Sequence, residues 1–337
     1  MRRAVFAFFF CVAACRQQDQ PNAQMRAVLD ELTAVAPVPI EQLSPQAARQ
    51  QASLADAVRA VATKQGKTFP EPIVRSYDEG AGDVSVRIYQ PTGERPFPVV
   101  FYIHGGGWVV GTLDSYDASA RALANATRAI VVSTHYRQAP EFRFPTSHDD
   151  VYASYQWTAL NIHKFGGDPA RMAVAGESAG ANMALDTALR AKTADRISPV
   201  ALLLVYPVAG TSMTTTSYRQ YAEAKPLGRA AMDWFLRQEV SSAAELTDVR
   251  LNAVGADAER YRGLPPTTMI LAEIDPLRSE GETLGNKLRE VHVETTIRTF
   301  PGMTHDFLGT SMVVDEARNA IQFAAEHIKP FFGEKPQ

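Results

Sequence analysis

Beyond residue 97 the chain alternates short apolar runs with helical stretches, and few folds satisfy that rhythm. The runs at 98–103, 129–134, 172–175, 200–205 and 268–274 are rich in aliphatic and aromatic residues and mostly bracketed by Pro, Gly or Asp. Continuous apolar runs of this kind describe strands covered on both faces. Helical patterns at 119–126, 149–160 and 181–192 separate them, and a strand at 294–300 followed by a helix at 315–328 closes the series. Strands alternating with helices require right-handed crossovers, which place helices on both faces of a mainly parallel sheet. The fold class is therefore α/β.

Ahead of this region, 73–77 and 84–89 alternate apolar with polar residues, as half-exposed antiparallel strands joined through Gly80 and Gly82 do. Two helices precede them. Met25, Val28, Leu29 and Leu32 repeat at helical spacing. A second helix is signalled by Ser44 as cap, Pro45 at its first position, Leu54, Val58 and Val61 on one face, and Gly66 as stop. Helices placed before the first strand are suited to lie across a pocket as a cap. The stretch 209–264 breaks the rhythm, because connections between strand and helix in α/β units take roughly two to six residues. It reads as a helical insertion whose Tyr218, Tyr221, Trp234 and Phe235 serve either as core or as lining of an acyl pocket.

The amino terminus, Met1-Arg2-Arg3 followed by the apolar run 4–14, has the charged start of a secretory signal and is too short to span a bilayer. Val12-Ala13-Ala14-Cys15 resembles a bacterial lipobox, in which the cysteine is lipidated and becomes the first residue. The expected division is a signal at 1–14, a tether and cap helices at 15–66, and a catalytic domain at 67–337 containing the 209–264 insertion. That division predicts an exported protein, tethered on the periplasmic side of a membrane through Cys15; an ordinary signal cut near Ala13-Ala14 is the alternative. Cys11 and Cys15 are the only cysteines, so the mature body has no internal disulfide, cysteine nucleophile or thiolate metal site. A formal charge of −3 with both signs mixed along the chain provides no basic face for a phosphate backbone, which argues against a nucleic-acid partner.

Gly176-Glu177-Ser178-Ala179-Gly180 stands between an apolar run and a helical pattern, the strand-turn-helix setting of a nucleophile elbow. Small residues flank the serine because the turn leaves no room for bulk. Ser178 still needs a base, since its hydroxyl is protonated at neutral pH. His104-Gly105-Gly106-Gly107-Trp108 follows the strand at 98–103, and its glycines free backbone N–H groups to face a ligand. With Ala179, Gly106 and Gly107 are the candidate oxyanion-hole donors. His305 follows the final strand, where a loop reaches the carboxyl edge of the sheet, and is the candidate base. His104 is better suited to bracing its loop. Asp275 ends the strand at 268–274 and is the candidate orienting acid, with Glu273 and Glu177 as competitors and helix capping as its plain alternative. The order Ser178, Asp275, His305 is that of α/β-hydrolases.

These motifs resemble the hormone-sensitive-lipase-like bacterial esterases over about residues 71–330, as do Asp114-Ser115-Tyr116-Asp117 and Tyr136-Arg137-Gln138-Ala139-Pro140-Glu141. The resemblance implies an α/β-hydrolase fold, an amino-terminal cap, and hydrolysis of short- to medium-chain acyl esters by Ser178, His305 and Asp275 with no cofactor. Two positions depart from the family pattern: Glu177 stands where aspartate or threonine is commoner, and Gln138 where leucine is usual. A lactonase, carbamate or amide hydrolase would use the same triad. Plant gibberellin receptors resemble this family too but lack the histidine, which is present here as His305.

Overall fold

The computed structural model describes residues 20–67, 75–194 and 197–333. The expected signal segment, Cys15, most of the tether, and Ile73 and Val74 of the first expected strand lie outside the described residues.

Eight strands form one sheet in the order β1-β2-β4-β3-β5-β6-β7-β8. They are β1 (Arg75–Ala81), β2 (Val84–Gln90), β3 (Phe97–Ile103), β4 (Ile130–Thr134), β5 (Gly167–Glu177), β6 (Leu202–Val205), β7 (Thr267–Ile274) and β8 (Thr295–Thr304). β1 and β2 form an antiparallel hairpin turning at Gly82, and β2 pairs antiparallel with β4. From β4 to β8 every pairing is parallel. Each apolar run thus became a strand buried on both faces. Along β3, Val99, Phe101 and Ile103 enter one core while Val100 and Tyr102 enter the other.

The first core is covered by α5 (Thr146–Asn161), α6 (Ala179–Thr193) and α9 (Arg278–Glu290), and the second by α4 (Asp117–Thr127) and α10 (Asp315–Ile328). α6 is buried along nearly its whole length, which its Ala, Gly, Met and Leu content allows. The sheet reverses its winding at β3, since the chain leaves β3 toward β4 and leaves β5 toward β6 on the other side. A crevice opens outside the carboxyl ends of strands at such a switch point.

The amino-terminal region holds α1 (Ala23–Val35), α2 (Pro45–Gln50) and α3 (Leu54–Lys64). The single helix expected from Ser44 to Gly66 is two helices. Ser44 does cap α2, its oxygen receiving the Ala47 N–H at 3.2 Å. The chain then extends at Gln51 and restarts at Ser53, whose N–H and hydroxyl both donate to Asp56 at 2.8 Å. Ser53-x-x-Asp56 is a start signal that the apolar spacing conceals. The 209–264 stretch lies between β6 and β7 and carries α7 (Thr216–Gln220) and α8 (Arg229–Glu239). Trp234 of α8 donates its indole N–H to the Leu43 carbonyl at 3.2 Å, joining insertion and amino-terminal segment over the sheet edge.

Candidate active site

β5 ends at Glu177, and the chain turns through Ser178 at φ 56°, ψ −120° before entering α6. That conformation costs an ordinary residue about 1–3 kcal/mol, and its surroundings enforce it. The Ser178 N–H donates to Val205 O at 2.9 Å. A Cβ on Gly176 would meet Gly180 O at 2.3 Å, and one on Gly180 would meet Ile103 O at 2.2 Å. The turn therefore requires glycine on both sides, and it lifts the serine to the crevice between β3 and β5.

Asp275 follows β7 and His305 follows β8, so parallel neighbours bring both to the same edge. His305 Nε2 lies 2.8 Å from Ser178 Oγ, and its Nδ1 lies 2.8 Å from Asp275 Oδ2. All three are buried. Asp275 Oδ1 also accepts the Leu277 N–H at 2.9 Å, so the capping and the histidine contact are made by one carboxylate with two oxygens. The competing acids are engaged elsewhere. Glu273 accepts the Gly302 N–H at 2.7 Å, and Glu177 accepts the hydroxyls of Tyr102 and Tyr206. Burial pulls the His305 pKa down, but the Asp275 carboxylate outweighs it and the net shift is upward. Burial, then the charge of Asp306, pushes Glu177 up to about 7, and burial pushes Asp306 up to about 6.

The glycines after β3 form the facing wall. Gly106 and Gly107 sit at φ 99° and 55°, and among the described residues neither N–H donates a hydrogen bond. The Ala179 N–H begins α6, where the first turn has no partner within the helix. His104 lies beneath, its Nδ1–H donating to Gly105 O at 2.8 Å and its ring stacked 4.4 Å from Tyr136. Burial and the neighbouring His135 lower its pKa to about 3, so it braces the loop as a neutral ring. Gln138 donates to Val110 O at 3.0 Å and Gly111 O at 2.8 Å, a role no leucine fills, which gives the departure at that position its physical meaning.

A cleft of about 720 Å³ runs outward from Ser178 and His305. Leu32, Val38 and Ile40 line it from the amino-terminal segment, and Leu227, Met232 and Phe235 from the insertion. Of the four aromatic residues singled out in the insertion, Phe235 reaches the cleft. Trp234 holds Leu43, Tyr218 is core, and Tyr221 stacks under Arg278. His148 is bonded to Asn182 Oδ1 at 3.0 Å in the core, and His135 lines the cleft. The sequence did not point to Tyr102, Tyr206 or Asp306, and it offered Tyr116 only within a family motif; all four surround Glu177 and His305 behind the serine.

A switch-point crevice holding a serine elbow, a histidine and an acid from successive strands defines an α/β hydrolase. A family model described as the alpha/beta hydrolase fold matches residues 100–309. A carboxylesterase of Mycobacterium tuberculosis is 37% identical over 268 residues, covering 76% of this chain and 83% of that protein. The ethyl acetate hydrolase of Pseudomonas putida is 31% identical over 249 residues, covering 72% of this chain and 77% of that one. The crystal structure of a thermostable esterase from Pseudomonas putida superposes with a TM-score of 0.83 at 31% identity, over 94% of this chain and 99% of that one. The chain belongs to the hormone-sensitive-lipase-like esterases of the α/β-hydrolase family, and it is a carboxylic ester hydrolase.

Proposed function

We propose that this protein is a serine carboxylesterase acting on short- to medium-chain acyl esters through an acyl-enzyme. The observation that carries the reading is the His305 imidazole bridging Ser178 and Asp275 at 2.8 Å on either side. Ser178 Oγ attacks the ester carbonyl as His305 Nε2 takes its proton, and Asp275 holds the Nδ1–H tautomer and stabilises the imidazolium. The N–H groups of Gly106, Gly107 and Ala179 receive the oxygen that becomes negative. His305 returns the proton to the departing alcohol, then activates water to release the acid. The balance is one water consumed per ester cleaved, with no cofactor required. An intact histidine between nucleophile and acid favours turnover over passive binding of a ligand.

Hydrolysis of p-nitrophenyl esters from acetate to palmitate, run beside Ser178→Ala, tests the reading. Turnover concentrated on the shorter chains and lost in the variant is expected; unchanged turnover in the variant would overturn it. The reading includes export and a lipid tether at Cys15, supported by the signal-like start and the Val12-Ala13-Ala14-Cys15 sequence. Fatty-acid label that persists after Cys15→Ser would remove that cysteine as the attachment point.

A further inference from the structure

Glu177 is the elbow residue to which the proposed chemistry gives no task, and its surroundings are unusual for a carboxylate. It is fully buried at the end of β5. One oxygen accepts the hydroxyl of Tyr102 from β3, and the other accepts that of Tyr206, just beyond β6. Tyr206 in turn reaches the loop that carries the base. Its oxygen accepts the Leu308 N–H at 3.4 Å, and its ring centroid lies 4.8 Å from that of His305 and 5.7 Å from that of Phe307. Tyr206 is held at φ 35°, a conformation that a tyrosine adopts only under constraint.

The other groups facing this carboxyl are Tyr116 and Ser119 around the start of α4, and Asp306 and His305 after β8. Tyr116 and Asp306 face one another within this cluster. None of these groups carries a permanent positive charge, so the cation among them is the imidazolium that His305 becomes.

We propose that Glu177 and Tyr206 are positioning residues for the base: the link from Glu177 through Tyr206 to Leu308 fixes the His305 loop against the serine elbow, and the Glu177 carboxylate joins Asp275 in stabilising the imidazolium. The inference rests on the serine-esterase reading above. Asp275 touches the ring and sets its tautomer; Glu177 acts through space and through Tyr206. Burial and Asp306 bring Glu177 to about 7, so it acquires charge in the range where His305 must give up its proton. Negative charge at Glu177 favours the protonated ring, in the same sense as Asp275, which raises His305 most, and Asp306.

The test is the pH dependence of kcat and kcat/KM on p-nitrophenyl butyrate for the full-length protein, Glu177→Gln, Tyr206→Phe and Ser178→Ala, with thermal melts for each. Glu177→Gln is expected to lower kcat between about tenfold and a hundredfold with little change in KM. Its acid limb is expected to move to lower pH by about half a unit or more. Tyr206→Phe keeps the ring and breaks the link, so kcat is expected to fall while the limb stays nearer the parent's. An unshifted limb in a folded Glu177→Gln variant overturns the proposal. Should that variant fail to fold, Tyr206→Phe decides: a loss in kcat at unchanged KM supports the link, and parental kcat overturns it. Ser178→Ala separates the two readings, because turnover surviving there sinks the esterase mechanism itself, whereas turnover lost there beside an unshifted Glu177→Gln limb sinks the Glu177 inference alone.

Discussion

His305 Nδ1 and Asp275 Oδ2 are 2.8 Å apart in a site from which both side chains are almost wholly excluded from solvent. Asp275 can only accept, so the proton sits on Nδ1 and Nε2 keeps a lone pair toward Ser178. Asp275→Asn changes that with almost no change in shape. The amide N–H₂ favours the other tautomer, which points an N–H at the serine. In serine proteases the corresponding change costs about 10⁴ in kcat. A loss near that size with little change in KM is expected here; a loss of less than about tenfold would show that Asp275 does not orient the ring.

The same pair fixes the pH response of activity and stability, in opposite senses. His305 must be neutral to accept a proton, and its pKa is raised above the ordinary histidine value by Asp275 against the pull of burial. kcat/KM is therefore expected to rise along a limb whose midpoint lies above about 6.5. A raised folded-state pKa means that the ion pair contributes fully below the unfolded-state value, and that this contribution fades as pH rises through the folded one. Activity should appear over the window in which this stabilisation is lost. Buried Glu177, raised from 4.5 to about 7, slopes stability the same way across that interval. Melting temperatures of the parent and His305→Gln across the limb isolate the histidine's share; parallel profiles would remove it.

What the sequence made legible was whatever the chain must do locally. Gly176 and Gly180 are forced by backbone atoms less than 2.5 Å from where a Cβ would sit, Ser178 and Asp275 each follow a strand whose apolar pattern is continuous, and His305 follows the last strand of the series. The network behind Ser178 and His305 was hidden for the converse reason. Tyr102 and Tyr206 read as ordinary core aromatics, and their partner Glu177 lies 75 and 29 residues away in sequence. The insertion was recognisable by its length, yet Trp234 and Phe235 are adjacent in sequence. Only the position of Leu43 and Gly107 decides which of them braces the cap and which meets the cleft.

Gly106 and Gly107 differ in what a side chain would strike, and that difference is testable. A Cβ at 107 would lie 2.3 Å from the Phe235 ring, and one at 106 would lie 2.1 Å from the Val110 carbonyl oxygen. Both alanine variants displace a candidate oxyanion donor and should lose about 10²–10³ in kcat. Trimming Phe235 relieves one clash and not the other. Gly107→Ala/Phe235→Ala is therefore expected to recover part of the loss relative to Gly107→Ala, while Gly106→Ala/Phe235→Ala recovers none. Equal behaviour of the two pairs in kcat would contradict the assignment of these contacts.

Arg49 gives the amino-terminal segment a direct hold on the walls of the site. From α2 its Nε donates to Val109 O at 2.8 Å and its Nη2 to Ala139 O at 2.6 Å, with Glu141 Oε2 2.7 Å from the same nitrogen. Val109 in turn donates its N–H to Gly106 O at 3.0 Å, so the guanidinium is one residue removed from the loop carrying the candidate oxyanion donors. The two carbonyl contacts should outweigh the ion pair, because the Glu141 carboxylate is 41% exposed and screened by water. Arg49→Ala is expected to destabilise the protein by about 2 kcal/mol, within the range for hydrogen bonds to a charged donor, whereas Glu141→Gln should cost less than about 0.5 kcal/mol. Arg49→Lys keeps the charge without the fork and should fall between them. Denaturant melts rank the three variants. If Glu141→Gln matched Arg49→Ala, the ion pair rather than the carbonyl contacts would be holding α2 in place, and the loop carrying Gly106 would then keep its geometry, and the enzyme its kcat, in both variants.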